Sequence, residues 1–197
     1  MTLVTHTRIA PTEHRRRLAG VTLVELMITV LVLSILLGLA VPGFRSLMQN
    51  DQQWLQTNNL VVALNTARSD AIKNDLATGA WVCSSNTGLA CTGTPWNQGW
   101  IVVGADAVNP ANTKVLEAVG ALPTGTTLTE GSNNLTIPFQ SNGALGALGT
   151  AEPFVFFKMC DIRGAAFARY LQVTPMGRVV AAPAVGKDLT GAALTCP

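Results

Sequence analysis

At 197 residues, 48% hydrophobic and only 12% charged, the chain has room for one apolar membrane segment and one modest globular domain. The formal net charge of +2 is unevenly held: residues 1–20 carry Arg8, Arg15, Arg16 and Arg17 against Glu13, a net of +3, which leaves −1 for the rest and implies no polyanion-binding surface there. Both histidines, His6 and His14, also fall in this leader, which deprives the remainder of the usual general base, of histidine-containing triads and of common histidine zinc sites.

The leader is basic and has no features of a core element. After Arg15-Arg16-Arg17 and the small pair Ala19-Gly20, an apolar run extends over residues 21–41. Twenty-one residues make about 31 Å of helix at roughly 1.5 Å per residue, enough for a bilayer core of about 30 Å. A secretory signal places its apolar region inside the leader and its cleavage site afterwards. Here the candidate cut, at Gly20, precedes the apolar run, so the run is retained. One carboxylate, Glu25, sits inside it. A charge at the centre of a span costs about 2.5–3.5 kcal/mol, so it needs a partner or must snorkel to the interface.

The helical pattern continues past the span. Phe44/Leu47/Met48 and then Leu60/Val61/Leu64/Ala67/Ala71 follow i, i+3, i+4 spacing, which predicts an amphipathic helix with one buried face. The helical region is placed at 21–78, with 21–41 transmembrane, Pro42 as a kink or loosened turn, Lys73 in the last turn and Gly79 as the stop. Short strand-like runs follow in 79–197. They are Trp81-Val82-Cys83, Gly99-Trp100-Ile101-Val102-Val103, 114–119, Leu135-Thr136-Ile137 with Phe139, 154–159, 168–173 and 178–181. Thr174-Pro175-Met176-Gly177 reads as a hairpin turn, and 142–150 as loop. The predicted fold class is therefore α+β: a long N-terminal helix packed against a C-terminal antiparallel β-sheet domain. Of Trp96 and Trp100, at least one is expected to anchor the core rather than form a recognition surface, and Gly99 is a candidate bulge position.

Cys83, Cys91, Cys160 and Cys196 all follow the apolar run, and none forms a C-x-x-C pair. By the positive-inside rule the leader stays cytoplasmic and the cysteines cross to the other side, in a bacterium the oxidising periplasm. The simplest pairing is Cys83–Cys91 and Cys160–Cys196, with buried free thiols as the alternative.

Gly20-Val21-Thr22-Leu23-Val24-Glu25-Leu26, behind a basic leader and ahead of an apolar run, resembles the class III signal of type IV prepilins and type II secretion pseudopilins. The resemblance implies cleavage after Gly20 by a prepilin peptidase and N-methylation of Val21, where phenylalanine is usual. It also implies a type IV pilin-like fold with a helix break at Pro42. Ala67-Arg68-Ser69-Asp70-Ala71-Ile72-Lys73, Val82-Cys83, Trp96-Asn97-Gln98-Gly99-Trp100-Ile101-Val102, Phe157-Lys158-Met159-Cys160, Gly177-Arg178-Val179 and Cys196 are similar to the GspH/FimT minor pilins and pseudopilins. The function so implied is a non-enzymatic subunit of a type IV pilus or type II secretion pseudopilus, held in the inner membrane and later drawn into a fibre. Its partners would be membrane lipid, other pilin subunits and an inner-membrane assembly platform; no cofactor and no metal are expected. Glu25 would pair with the freed amine of a neighbouring subunit. The alternative is a DNA-binding minor pilin using Arg178, Arg169 and Lys158. Some members carry two arginines at period two after the glycine, however, and this chain has Val180 at the second. Nucleic acid is therefore not the favoured partner.

Overall fold

The computed structural model describes residues 20–74, 79–105, 113–149 and 152–197; the arginine-rich leader and the expected helix end at Thr78 lie outside the described residues. Helix α1 covers Leu23–Asn74 and runs on through position 42. The chain divides into a unit ending at Ser46 and a second unit, Leu47–Pro197.

In the first unit the side chains of the apolar run are exposed throughout. Its few hydroxyls are satisfied within the helix: Thr29 Oγ1 donates to the Leu26 carbonyl at 2.8 Å and Ser34 Oγ to Leu31 at 2.7 Å. Such internal pairing is what a hydrocarbon environment demands of polar groups.

The second unit is built on the later part of α1. Leu60, Ala63, Leu64, Ala67 and Ala71 recur at helical spacing and are almost wholly buried. Three of the five are alanines, which lets strands approach the helix closely. Against this face lie, among the described residues, eight antiparallel strands: β1 (Ala80–Ser84), β2 (Trp100–Ala105), β3 (Thr113–Val119), β4 (Thr127–Glu130), β5 (Thr136–Phe139), β6 (Val155–Cys160), β7 (Arg169–Val173) and β8 (Val179–Ala181). They form two four-stranded sheets, ordered β3-β2-β1-β5 and β4-β6-β7-β8. Strand β5 is an edge, which is why it tolerates Pro138, a residue with no N–H for a second ladder.

Both sheets share one core with α1. Val82, Trp100, Ile137 and Phe139 come from the first sheet, and Leu128, Val155, Phe157, Met159, Leu171 and Val173 from the second. Trp96 and Trp100 are both buried core residues. Trp96 sits edge-on to Phe157 at 5.0 Å and its indole N–H donates to the Asn134 carbonyl at 2.9 Å, so its single polar atom is paired. The register shift in the β2–β3 ladder falls between Val102 and Val103, not at Gly99. Gly99 instead takes φ +117° ahead of β2, where a Cβ would overlap the Val119 carbonyl oxygen.

Candidate functional site

The N-terminal motif forms a helix cap. The Glu25 amide donates to Thr22 Oγ1 at 3.2 Å and the Leu26 amide to the Thr22 carbonyl at 3.1 Å, which makes Thr22 the N-cap and Glu25 the third helical residue. Thr-x-x-Glu is the capping-box spacing, and a carboxylate in the first turn is stabilised by the helix dipole. Gly20, Val21 and Glu25 are all exposed, and the Glu25 carboxylate has no partner among the described residues. An exposed Gly20–Val21 junction, a capped start and an unpaired carboxylate thus stand together at the beginning of a helix long and apolar enough to cross a membrane.

The cysteines are joined in two disulfides. Cys83–Cys91 closes a short loop after β1 with Cα atoms 5.6 Å apart, and Cys160–Cys196 ties the end of β6 to the C-terminus at 6.0 Å. The tail before Cys196 lies on the outer face of the second sheet. Leu194 packs with Cys160, Ala168 and Tyr170, and Lys158 Nζ donates to the Thr195 carbonyl at 3.3 Å. A groove of about 520 Å³ lies between this tail and the sheet, floored by Phe154, Phe156 and Tyr170. Burial, helped by the Asp188 charge, raises the Tyr170 hydroxyl above its ordinary pKa, and that hydroxyl donates to Gln172 Oε1 at 3.1 Å.

The three basic residues singled out from the sequence are not brought together. Lys158 pairs with Tyr170 on the outer sheet face, whereas Arg169 pairs with Met159 on the core-facing side, its Nε buried without a partner. Arg178 follows the turn that Thr174 closes, receiving the Thr174 amide on its carbonyl at 2.9 Å; its own side chain is exposed. In the register, Lys158 stands opposite Tyr170 and Arg178 opposite Thr174, four residues or about 13 Å further on, just past the end of β7. No contiguous cationic strip results.

What does converge at that turn is a structural clamp. Arg68 of α1 donates from Nε to the Gly143 carbonyl at 2.9 Å and from Nη2 to the Met176 carbonyl at 3.2 Å. Gly177 is buried at φ +71°, and a Cβ there would overlap the Gly143 carbonyl oxygen. The Leu145 amide donates to the Pro175 carbonyl at 2.9 Å, so two loops and the helix meet at one point. Sequence reasoning left Arg68 without a role. Its signal was a long cation directly beside Ala67 on the core-facing stripe, where the reach of a guanidinium is needed. Among the described residues, no group of three or more His, Cys, Asp or Glu side chains is placed to hold a metal ion.

The chain matches the family described as "Type II transport protein GspH" over residues 56–177, and the "Prokaryotic N-terminal methylation motif" over 15–41. The chain belongs to the GspH family. Among solved structures this GspH-family chain is similar to the type IV minor pilin FimU of Pseudomonas aeruginosa. One crystal form gives a TM-score of 0.51 at 20% identity, covering 68% of this chain and 91% of that one. A second form gives 0.47 at 20% identity, covering 64% and 89%. The first likeness establishes the type IV pilin fold. No curated protein matches the sequence.

Proposed function

We propose that this chain is a minor pilin-type subunit, cut after Gly20, methylated at Val21 and assembled with other pilins into a type IV pilus or type II secretion pseudopilus. The observation that carries the reading is the apolar helix itself. Twenty-one residues without a covering element follow a processing motif, and so much uncovered apolar surface needs lipid or neighbouring helices around it. Before assembly, lipid of the inner membrane fills that need, with the arginine-rich leader on the cytoplasmic side and Leu47–Pro197 in the periplasm. Two disulfides fit that oxidising compartment. Inside a fibre the Glu25 carboxylate pairs with the amine freed at Val21 of a neighbour, an attraction strengthened by exclusion of water.

Mass analysis of the N-terminal peptide from purified membranes tests the reading. A chain starting at methylated Val21 is expected; one still starting at Met1 in cells with an active prepilin peptidase overturns it. Glu25→Leu is expected to insert into the membrane normally yet be missing from sheared fibres. Its recovery there in normal amount removes the assembly role.

A further inference from the structure

Asn142-Gly143 is the only Asn-Gly pair in the chain, and it lies in the loop that Arg68 clamps. Such a pair carries its own chemistry. The glycine nitrogen, once deprotonated, attacks the asparagine side-chain carbonyl carbon; ammonia leaves, a succinimide ring closes, and water opens it to aspartate or isoaspartate. No reactant but water is needed, and glycine has no side chain to obstruct the attack. Here the Asn142 side chain is exposed while Gly143 is buried. The Gly143 amide donates to the Gln140 carbonyl at 2.8 Å, so the nitrogen that must lose its proton is held with it. The Gln140 amide donates to the Ala144 carbonyl at 2.9 Å, and Asn142 Oδ1 accepts the Ala144 amide at 2.9 Å, which ties the side chain into the same turn. On the far side the Gly143 carbonyl accepts Arg68 Nε at 2.9 Å, and a Cβ on Gly143 would stand 2.7 Å from Ile72 Cδ1.

We infer that Asn142-Gly143 is a deamidation site held shut by the fold, with the Arg68 clamp as its gate. The geometry of ring closure carries the argument. The new bond to the Gly143 nitrogen forms where its hydrogen now lies, so the Gln140 carbonyl on that hydrogen must first move away. That requires the 140–144 turn to open, and the turn cannot open while Arg68 and Ile72 hold Gly143 from behind. The rate therefore follows the population of the locally opened turn. Removing the two Arg68 bonds, to the Gly143 and Met176 carbonyls, raises that population and the rate by roughly ten- to hundredfold. Opening is also recorded irreversibly: isoaspartate adds a methylene to the backbone between 142 and 143 and displaces the Gly143 carbonyl from Arg68.

The full chain, in mild detergent with both disulfides formed, is incubated in one weakly alkaline buffer. The peptide carrying position 142 is followed by chromatography and mass spectrometry, which separate asparagine, aspartate and isoaspartate. The same chain unfolded in urea with its disulfides intact gives the unprotected rate. The inference expects the folded chain to be at least tenfold slower than the unfolded one, and folded Arg68→Met to recover much of the difference. Arg68→Lys keeps a charged donor but loses the fork that reaches two carbonyls, so an intermediate rate is expected; it also serves as the test if the methionine variant does not fold. A folded wild-type chain that deamidates as fast as the unfolded one overturns the inference. So does a folded Arg68 variant no faster than wild type. A variant rate fully accounted for by its globally unfolded fraction, taken from its urea curve, overturns it as well, because the gate is then the whole fold and not the clamp.

Discussion

The backbone and the side chain of Glu25 make contributions that can be separated. Its backbone amide completes the Thr22 cap at 3.2 Å, while its carboxylate has no partner among the described residues. Glu25→Gln keeps the residue's length and the cap but removes the charge, so it is expected to insert into membranes and to be absent from fibres just as Glu25→Leu is. Normal fibre incorporation of the glutamine variant shows that shape, not charge, is what Glu25 contributes. Thr22→Val removes the capping oxygen and is expected to fray the first turn, at a cost of about 1 kcal/mol of local helix stability. At the clamp, Arg68→Met deletes two bonds from a charged donor to the Gly143 and Met176 carbonyls and is expected to cost about 1.5–3 kcal/mol in urea unfolding of the full chain in detergent. Gly177→Ala meets both a positive φ and the Gly143 carbonyl, so it is expected to destabilise at least as much. Arg68 and Gly177 lay in sequence motifs that were noticed but not connected. They are 109 positions apart, and only the fold shows that one holds the loop against which the other must be small.

At the level of elements, the long helix was legible because its apolar positions repeat with a clear period over the buried face. The strands of strong alternation, such as 155–159 with burial on every second residue, were legible for the same reason. Strand β4 was not. Thr127-Leu128-Thr129-Glu130 has one apolar residue, Leu128, and its buried glutamate reads as a surface charge. The fold explains that glutamate: Glu130 Oε2 accepts the Ser132 amide at 3.0 Å and the Asn134 amide at 2.5 Å, and so shapes the loop that follows. Division of the strands into two sheets was likewise not legible, since each strand alternates alike whichever sheet it joins. The two disulfides differ in what they constrain. By loop-closure entropy, the 36-residue separation of Cys160–Cys196 contributes about 4 kcal/mol and the 8-residue separation of Cys83–Cys91 about 2.5 kcal/mol. Removing the Cys160–Cys196 pair as a double serine variant is therefore expected to lower the urea midpoint more than removing the other, and the reverse order would refute this ranking. The tail it secures has its own pH dependence. The Thr190 hydroxyl bond above all, opposed next by desolvation and aided by the Ala192, Thr190 and Gly191 amides, holds the exposed Asp188 carboxyl below its ordinary range. A lowered folded-state pKa means the contribution is complete at neutral pH and is lost only as acid takes the pH below the usual carboxylate range. Amide exchange at Thr190 and Ala192 is expected to quicken there, and Asp188→Asn to abolish that pH response.

Taken whole, the molecule combines two segments with different needs. Among the described residues before Leu47 there is no core, whereas Leu47–Pro197 buries its own apolar residues between α1 and two sheets and carries both disulfides. Folding of the second is therefore expected to proceed without the first. A chain beginning at Leu47 is expected to be water-soluble, to form both disulfides, and to unfold in urea at the same midpoint as the full chain in mild detergent. A midpoint markedly lower, or a product that aggregates with its cysteines unpaired, would show that the apolar helix supports the head as well as anchoring it. Charge separates the processed from the unprocessed whole just as sharply. Cutting after Gly20 takes the formal charge from +2 to −1, because residues 1–20 hold four arginines and one glutamate. Isoelectric focusing of membrane extracts should thus show an acidic shift when a prepilin peptidase acts and none when Gly20 is replaced by a residue the enzyme rejects. A single focusing position in both cases would mean the leader remains, and the basic end of the molecule with it.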